Sequence, residues 1–409
     1  MGKKLFIIGS SLNYGSPGKI TENIGLLAKS QGWEVYQAHG LKYSNPSQLI
    51  SRPVSTSLGE KIHAGYSLLF DGHGLASSKS TLKLVEWLKE VQPDVIHLHN
   101  LHGYYLNYEI LFNYLSSINT PIVWTLHDFW PITGHCAHFD YAGCYKWKTQ
   151  CEDCPQRGTY PKSLFIDRSK RNFALKKRVF TSVKNMTIVP VSKWVGGLVS
   201  ESFLGKYSII PIYNGIDINI FKPAGSDLRN RLGLQDKFVM VGVAAPWYPL
   251  KGMNDYFALN EKLSDDYKII MIGLSKEQIK QLPKGIIGIE RTNSQKELVE
   301  YYSMADCTLN LSYQETFGMT TVEGMACGTP GIVYNKTASP ELVDCSTGFV
   351  IEAGDIKALA EHIEKMKLMN FKTKHFKDCI ARVKKDFCKK QQYSKYISLY
   401  DSLINSSSI

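Results

Sequence analysis

No stretch of this 409-residue chain approaches the ~20 consecutive apolar residues that span a bilayer. Its start, Met1 to Ile8, sets two lysines before only four apolar residues, Leu5 to Ile8. That is too short for a signal-peptide core. Both absences argue against an embedded or exported chain and for a cytoplasmic one, with Leu5–Ile8 as a first buried strand. No repeat at solenoid periods and no low-complexity segment is present, which excludes repeat arrays. The nine cysteines are an odd number, and without an export signal they argue against a disulfide framework. Acids are scarce: 37 Asp and Glu face 48 Lys and Arg, a formal charge of +11. Nucleic acid, an anionic membrane surface or a phosphorylated substrate would each suit such a chain. The imbalance concentrates in Lys162–Arg178, with seven cations and one acid, and Lys365–Lys395, with eleven and two. Neither stretch interleaves aromatics, which argues against a single-strand nucleic-acid groove. Solvated helix faces, or a surface that meets anionic lipid, are left.

What is present is an alternation of short β-branched runs with amphipathic stretches. Strands are predicted at Leu5–Ile8, Val35–Ala38, Val95–His99, Ile122–Leu126 and Thr187–Val191, with helices between them such as Lys19–Ser30 and Leu82–Val91. A second series follows at Phe238–Val243, Lys268–Ile272, Ile286–Ile289, Cys307–Leu311, Gly331–Tyr334 and Phe349–Ile351. Alternating strand and helix predicts parallel sheets with helices on both faces, so the fold class is α/β with two Rossmann-like domains. Pro211–Pro223 reads as the linker. The domains are placed at 1–210 and 211–388, and residues 389–409 are a basic, tyrosine-rich helix returning to the first domain. Gly134–Pro161 is long for a connection and reads as an insertion with its own reason to be ordered.

In open α/β sheets ligands bind beyond the carboxyl ends of strands. After Cys307–Leu311 comes a string with Glu315, Phe317, Gly318, Met319, Thr320, Glu323-Gly324-Met325-Ala326-Cys327-Gly328 and Pro330. A helix is predicted from near Phe317 to near Cys327, capped by Gly328. The amides of Phe317, Gly318, Met319 and Thr320 would then be unpaired donors at a helix N-terminus, which suits phosphate. Glu315 and Glu323 can flank one extended ligand. Lys251-Gly252 follows Phe238–Val243 and offers a point charge for a diphosphate. Tyr14–Lys19 follows the first strand, and Gly15 and Gly18 there permit close backbone approach. His127 and Asp128 end the strand Ile122–Leu126; His97, His99 and His102 cluster at another strand end, where His97 and His99 read as structural.

Glu315 and Glu323 in that string resemble family 4 retaining glycosyltransferases of GT-B fold. The resemblance implies two Rossmann-like domains facing a central cleft. It implies that Glu315 meets the donor sugar, that Glu323 binds the nucleotide ribose, and that the amides between them hold the diphosphate with Lys251. It makes His127 a donor contact and sets the Gly18 loop against donor phosphates or acceptor. Where the family carries an Arg before the Lys, this chain has Pro246, followed by Trp247, which is expected to contact the donor; Arg291 is the cation expected to compensate. No Asp-x-Asp element is positioned for a catalytic metal, and none is expected. The strings Trp124–Trp130, Gly134-His135-Cys136, Cys144–Lys148, Cys154-Pro155-Gln156 and Leu98-His99-Asn100 resemble bacterial exopolysaccharide enzymes of the colanic-acid type. They imply a UDP- or GDP-sugar donor, a lipid-linked saccharide acceptor and attachment at the inner face of the plasma membrane. Cys136, Cys144, Cys151 and Cys154 form C-x7-C-x6-C-x2-C, whose last half suits structural zinc, with His135 or His138 able to replace one; reduced thiols or a redox pair are the rivals. Rival functions are a nucleotide-sugar epimerase, a basic zinc-bearing nucleic-acid binder and a catalytically inactive assembly subunit.

Overall fold

The structure, a computed structural model, describes residues 2–407. The chain divides into two compact units, Met1–Tyr213 together with Tyr393–Ile409, and Asn214–Gln392. The first unit holds β1 (Lys4–Gly9), β2 (Glu34–His39), β3 (Ile50–Pro53), β4 (Val95–Leu98), β5 (Ile122–Leu126), β6 (Met186–Pro190) and β7 (Ser208–Ile209). All pair in parallel, in the order β3-β2-β1-β4-β5-β6-β7. The second unit holds β8 (Phe238–Val243), β9 (Tyr267–Ile272), β10 (Ile286–Ile289), β11 (Cys307–Asn310), β12 (Gly331–Tyr334) and β13 (Gly348–Ile351). They too are parallel, ordered β10-β9-β8-β11-β12-β13. Both sheets are Rossmann-like, and strand order reverses between β1 and β4 in one and between β8 and β11 in the other.

The predicted strands are present to within a residue or so. β3 and β7 were not predicted. β3 reads Ile-Ser-Arg-Pro, lies at the sheet edge and buries almost nothing, while β7 has only two residues. Neither carries an apolar run that a sequence reading could detect.

Alternation along β1 builds two cores at once. Phe6 and Ile8 pack with Trp87, Tyr105, Trp124 and Trp130 on one face. Leu5 and Ile7 pack on the other with Ile20, Ile24, Val95 and Val123. That second core is closed by the final helix, Lys389–Ser407. Tyr393, Tyr396, Ile397 and Tyr400, spaced to share one helical face, are buried in it. Tyr400 meets His97 Nδ1 at 2.7 Å, and Thr125 Oγ1 donates to Tyr396 Oη at 3.1 Å.

The two basic stretches are only partly solvated. Lys176 is fully buried, donates to the Trp130 and Thr133 carbonyls, and sits 3.6 Å from the Trp130 ring centroid. Burial pulls its ammonium down to about 7. Lys372 donates to the Ser303 and Ala305 carbonyls, and Arg382 pairs with Asp344. No helix among the described residues is long and apolar enough to cross a membrane.

Candidate active site

In the second unit the strand-order reversal puts the ends of β8 and β11 side by side. After β8 the chain makes a 3-10 turn, Pro249–Lys251, and Gly252 then adopts φ +75° before the helix Met253–Lys262. Only glycine fits there. A Cβ on Gly252 would lie 2.1 Å from the Leu311 carbonyl oxygen, and its φ disfavours any other residue. The Leu250 carbonyl accepts from the Tyr313 amide at 2.9 Å and from Ser312 Oγ at 3.2 Å. The two loops are thereby fastened, and Lys251 Nζ reaches Glu315 Oε1 at 2.5 Å. The two side chains are 25% and 18% exposed, so water screens their attraction weakly. Burial works against the Lys251 charge, but Glu315 outweighs it and pushes the ammonium's pKa up. Sequence reasoning singled out both residues without foreseeing that they pair. Sixty-four residues separate them, and only the register of β8 on β11 joins them.

The predicted helix begins two residues late, at Met319, because Gly318 holds φ +103° and acts as its N-cap. The amides of Met319 and Thr320 open its first turn; those of Phe317 and Gly318 precede it. The Phe317 ring is buried and lies edge-on to Phe387. The helix ends at Ala326, with Gly328 at φ +80°. Glu323, on its second turn, accepts from Tyr302 Oη at 3.0 Å. Gly324 lets the helix lie on β11, since a Cβ there would come 2.4 Å from Thr308 Cγ2.

Three expected contacts are placed differently. Trp247 is a core residue: its ring is buried edge-on against Tyr256 and donates to the Ile272 carbonyl at 2.8 Å, and its own carbonyl accepts from Gln278 Nε2 at 2.9 Å. Gly18 is not in a loop but in the first turn of the helix Gly15–Ser30. A Cβ there would press on Ser11 Oγ at 2.7 Å, so what approaches it closely is its own preceding loop. Arg291 lies exposed just after β10, the edge strand, three places from β11.

In the first unit, histidines gather in and just beyond β4 and just beyond β5. His97 is satisfied on both nitrogens, by Thr125 Oγ1 and Tyr400 Oη. His99 Nδ1 meets His127 Nε2 at 3.0 Å, with the rings stacked, and His99 Nε2 is buried without a partner. Burial pulls His127 down to about 4 and His97 to about 3. Asp128 Oδ2 meets His102 Nε2 at 2.7 Å, and His102 Nδ1 meets Tyr160 Oη at 2.9 Å. Burial opposes the Asp128 charge, but the contact with His102 outweighs it and holds the carboxyl at about 2. The link to Tyr160 had no sequence signal, because Tyr160 lies 58 residues away in the cysteine-rich insertion.

Cys136, Cys144, Cys151 and Cys154 line one small cavity with His135 and are free thiols. A hydrogen bond between Cys136 and Cys154 pushes the first thiol's pKa up and the second's down. His135 Nδ1 meets Asp71 Oδ1 at 2.6 Å. Among the described residues no three His, Cys, Asp or Glu side chains are grouped so as to hold a metal ion.

Residues 229–386 match the family model described as Glycosyl transferases group 1. That match lies wholly within the second unit. Glu315, Glu323 and Lys251 all lie within it. A putative colanic acid biosynthesis glycosyl transferase, WcaC of Escherichia coli K12, is 25% identical over 66% of this chain and 66% of its own length. N-acetyl-alpha-D-glucosaminyl L-malate synthase of Bacillus anthracis is 28% identical over 37% of this chain and 42% of its own length. Among solved structures, HepE of Anabaena, in complex with UDP, superposes at TM-score 0.69 with 16% identity, covering 98% of this chain and 100% of that one. The chain has GT-B architecture and is similar to a putative colanic acid biosynthesis glycosyl transferase, with the group 1 match confined to its second unit.

Proposed function

We propose that this protein is a retaining glycosyltransferase that moves a hexose from a UDP- or GDP-sugar to a saccharide acceptor, lipid-linked, in exopolysaccharide or capsule synthesis. The observation that carries this reading is the Lys251–Glu315 pair at the strand-order reversal, followed directly by a helix N-terminus and Glu323. The amides of Met319 and Thr320 and the helix dipole receive the diphosphate, and Lys251 neutralises charge building on it as the glycosidic bond breaks. Glu315 orients the sugar and Glu323 the ribose. Attack comes from the face the diphosphate leaves, through an oxocarbenium-like transition state, and the departing diphosphate takes the acceptor's proton. HepE, solved with UDP and with UDP-glucose, supports a UDP-sugar as donor. Work at the inner face of the plasma membrane fits the basic stretches and the lipid-linked acceptor. The spacing of the four cysteines, with its closing C-x2-C, is the support for one structural zinc in the insertion, and binding it would require the thiols to draw closer together than they stand here. Metal analysis of the purified protein should find one zinc per chain, and thiols that take up neither zinc nor cobalt would remove that assignment.

Calorimetry with UDP- and GDP-sugars tests the main reading. One nucleotide class should bind, and Lys251→Ala and Glu323→Ala should each weaken it roughly 10- to 100-fold. Failure of both classes to bind overturns it. Pro246, in place of the family's Arg, favours one second reading, an inactive assembly subunit. Donor binding without transfer to any acceptor would select that reading.

A further inference from the structure

His99 follows β4 and His127 follows β5, and the two strands are neighbours in the first unit's sheet. Burial pulls His99 well below its ordinary range and His127 to about 4, so at neutral pH each ring is uncharged and carries one proton on one of its two nitrogens. The contact between His99 Nδ1 and His127 Nε2, at 3.0 Å, uses one of those protons. Which ring owns it decides what His127 offers to a ligand.

The far nitrogen of His99 settles the owner. If His99 Nδ1 accepted, the proton of that ring would stand on Nε2, which is buried and meets no partner. A buried N–H without an acceptor is rare in folded chains, and an unused acceptor less so. His99 therefore carries its proton on Nδ1 and donates it. Its surroundings hold the ring in place for this. Trp124 Nε1 donates to the His99 carbonyl at 3.0 Å, and the His97 ring packs against the His99 ring at a centroid distance of 4.1 Å. His97 is fixed in turn. Thr125 Oγ1 gives its own proton to Tyr396 Oη and so accepts from His97 Nε2 at 2.8 Å, while His97 Nδ1 accepts from Tyr400 Oη. The final helix thus locks His97, and His97 walls in His99.

With Nε2 taken up as an acceptor, His127 holds its proton on Nδ1. This ring is not sealed: 9% of the residue stays exposed beyond β5. We infer that His99 is a positioning residue, whose Nδ1–H fixes His127 as the Nδ1–H tautomer and so makes it a hydrogen-bond donor to a hydroxyl oxygen of the transferred sugar. The inference rests on the glycosyltransferase reading. It separates two histidines that share one strand end: His97 is a strut, whereas His99 sets the chemistry of the ring beside it.

Histidine-selective 15N labelling of the full chain reads tautomers directly, because protonated and bare ring nitrogens resonate far apart. His127→Gln identifies the His127 signals, and His99→Asn those of His99. At pH 7.5 His99 and His127 should both be Nδ1–H tautomers and His97 the Nε2–H one. His99→Leu should release His127 to a mixture of tautomers and weaken nucleotide-sugar binding roughly tenfold, with affinity for the bare nucleoside diphosphate unchanged. His99→Asn, whose amide N–H takes the place of Nδ1–H, should restore the tautomer and most of the affinity. A purely structural His99 would lower thermal stability in both variants and leave that rescue pattern absent. Should His99→Leu fail to fold, the wild-type tautomers and His99→Asn decide. An Nε2–H His127 in the wild type, an unmoved tautomer in His99→Leu, or a constant affinity while the tautomer moves overturns the inference. Nucleotide-sugar binding by the wild type is judged on the same samples. If no nucleotide sugar binds while the tautomers stand as expected, the transferase reading falls and the hold of His99 on His127 remains; if one binds and the tautomers differ, only the role of His99 falls.

Discussion

The two units share a sheet plan and differ in how each builds a site. In the second, Lys251, Glu315 and Glu323 follow adjacent strand ends, and two of the three sit in one contiguous string. Its interior is ordinary and apolar. In the first, nine of the chain's eleven histidines precede residue 140, and several are buried beyond β4 and β5. One pocket there is lined by segments as far apart as Lys42 and Tyr160. Phosphate can be held by a strand end and a helix start, which a short motif encodes. A pocket walled by many loops leaves no short motif in the sequence.

The largest expected effect separates the units by pH. Burial pulls His63 and His127 down to about 4 and His97 to about 3, against about 6.5 in an unfolded chain. Below pH 6.5 the unfolded first unit binds protons that the folded one refuses. Its stability should be whole above that pH and fall by roughly 6 kcal/mol by pH 5, summed over three groups at about 1.4 kcal/mol per pH unit. Hydrogen exchange at pH 7.5 and pH 5 should show protection lost in the first unit and kept in the second. Equal loss in both would erase the contrast.

Next is the final helix. Tyr400→Ala removes a buried ring from the first unit's second core and leaves His97 Nδ1 unpaired, and should cost about 3–5 kcal/mol. Thermal unfolding followed by exchange should place the loss in the first unit. A shift under 1 kcal/mol would mean that the helix is dispensable there.

A smaller effect sharpens the donor side. Gly18→Ala should destabilise the first unit by about 1–3 kcal/mol through overpacking on Ser11, with nucleotide-sugar affinity unchanged. A loss of donor affinity at unchanged stability would return Gly18 to the ligand. Smallest is Glu315→Gln. It removes the charge that raises Lys251, so the lysine's pKa, followed by NMR of the labelled ammonium, should fall. An unmoved value would mean that the pair does not form in solution.

Strand positions were legible because β-branched runs between helical periods have few other solutions. Ile122–Leu126, Phe238–Val243, Ile286–Ile289 and Gly331–Tyr334 were placed to the residue. The donor string was legible because its glycines, carboxylates and helix stop are neighbours in sequence. The rings of Trp247 and Phe317 were not, since the same string of letters fits a wall or a core until the helix is packed.

By itself, then, the sequence determined two parallel α/β units, a helix N-terminus between two glutamates, and a cysteine-rich insertion. Tertiary structure alone decided that Lys251 pairs with Glu315, that tyrosines of the last helix fix His97 and Thr125, and that Tyr160 of the insertion docks on His102. The reason is range. Period, capping and glycine placement act within a few residues and leave a local pattern, whereas a contact across tens or hundreds of residues is set by strand order and packing, which leave none.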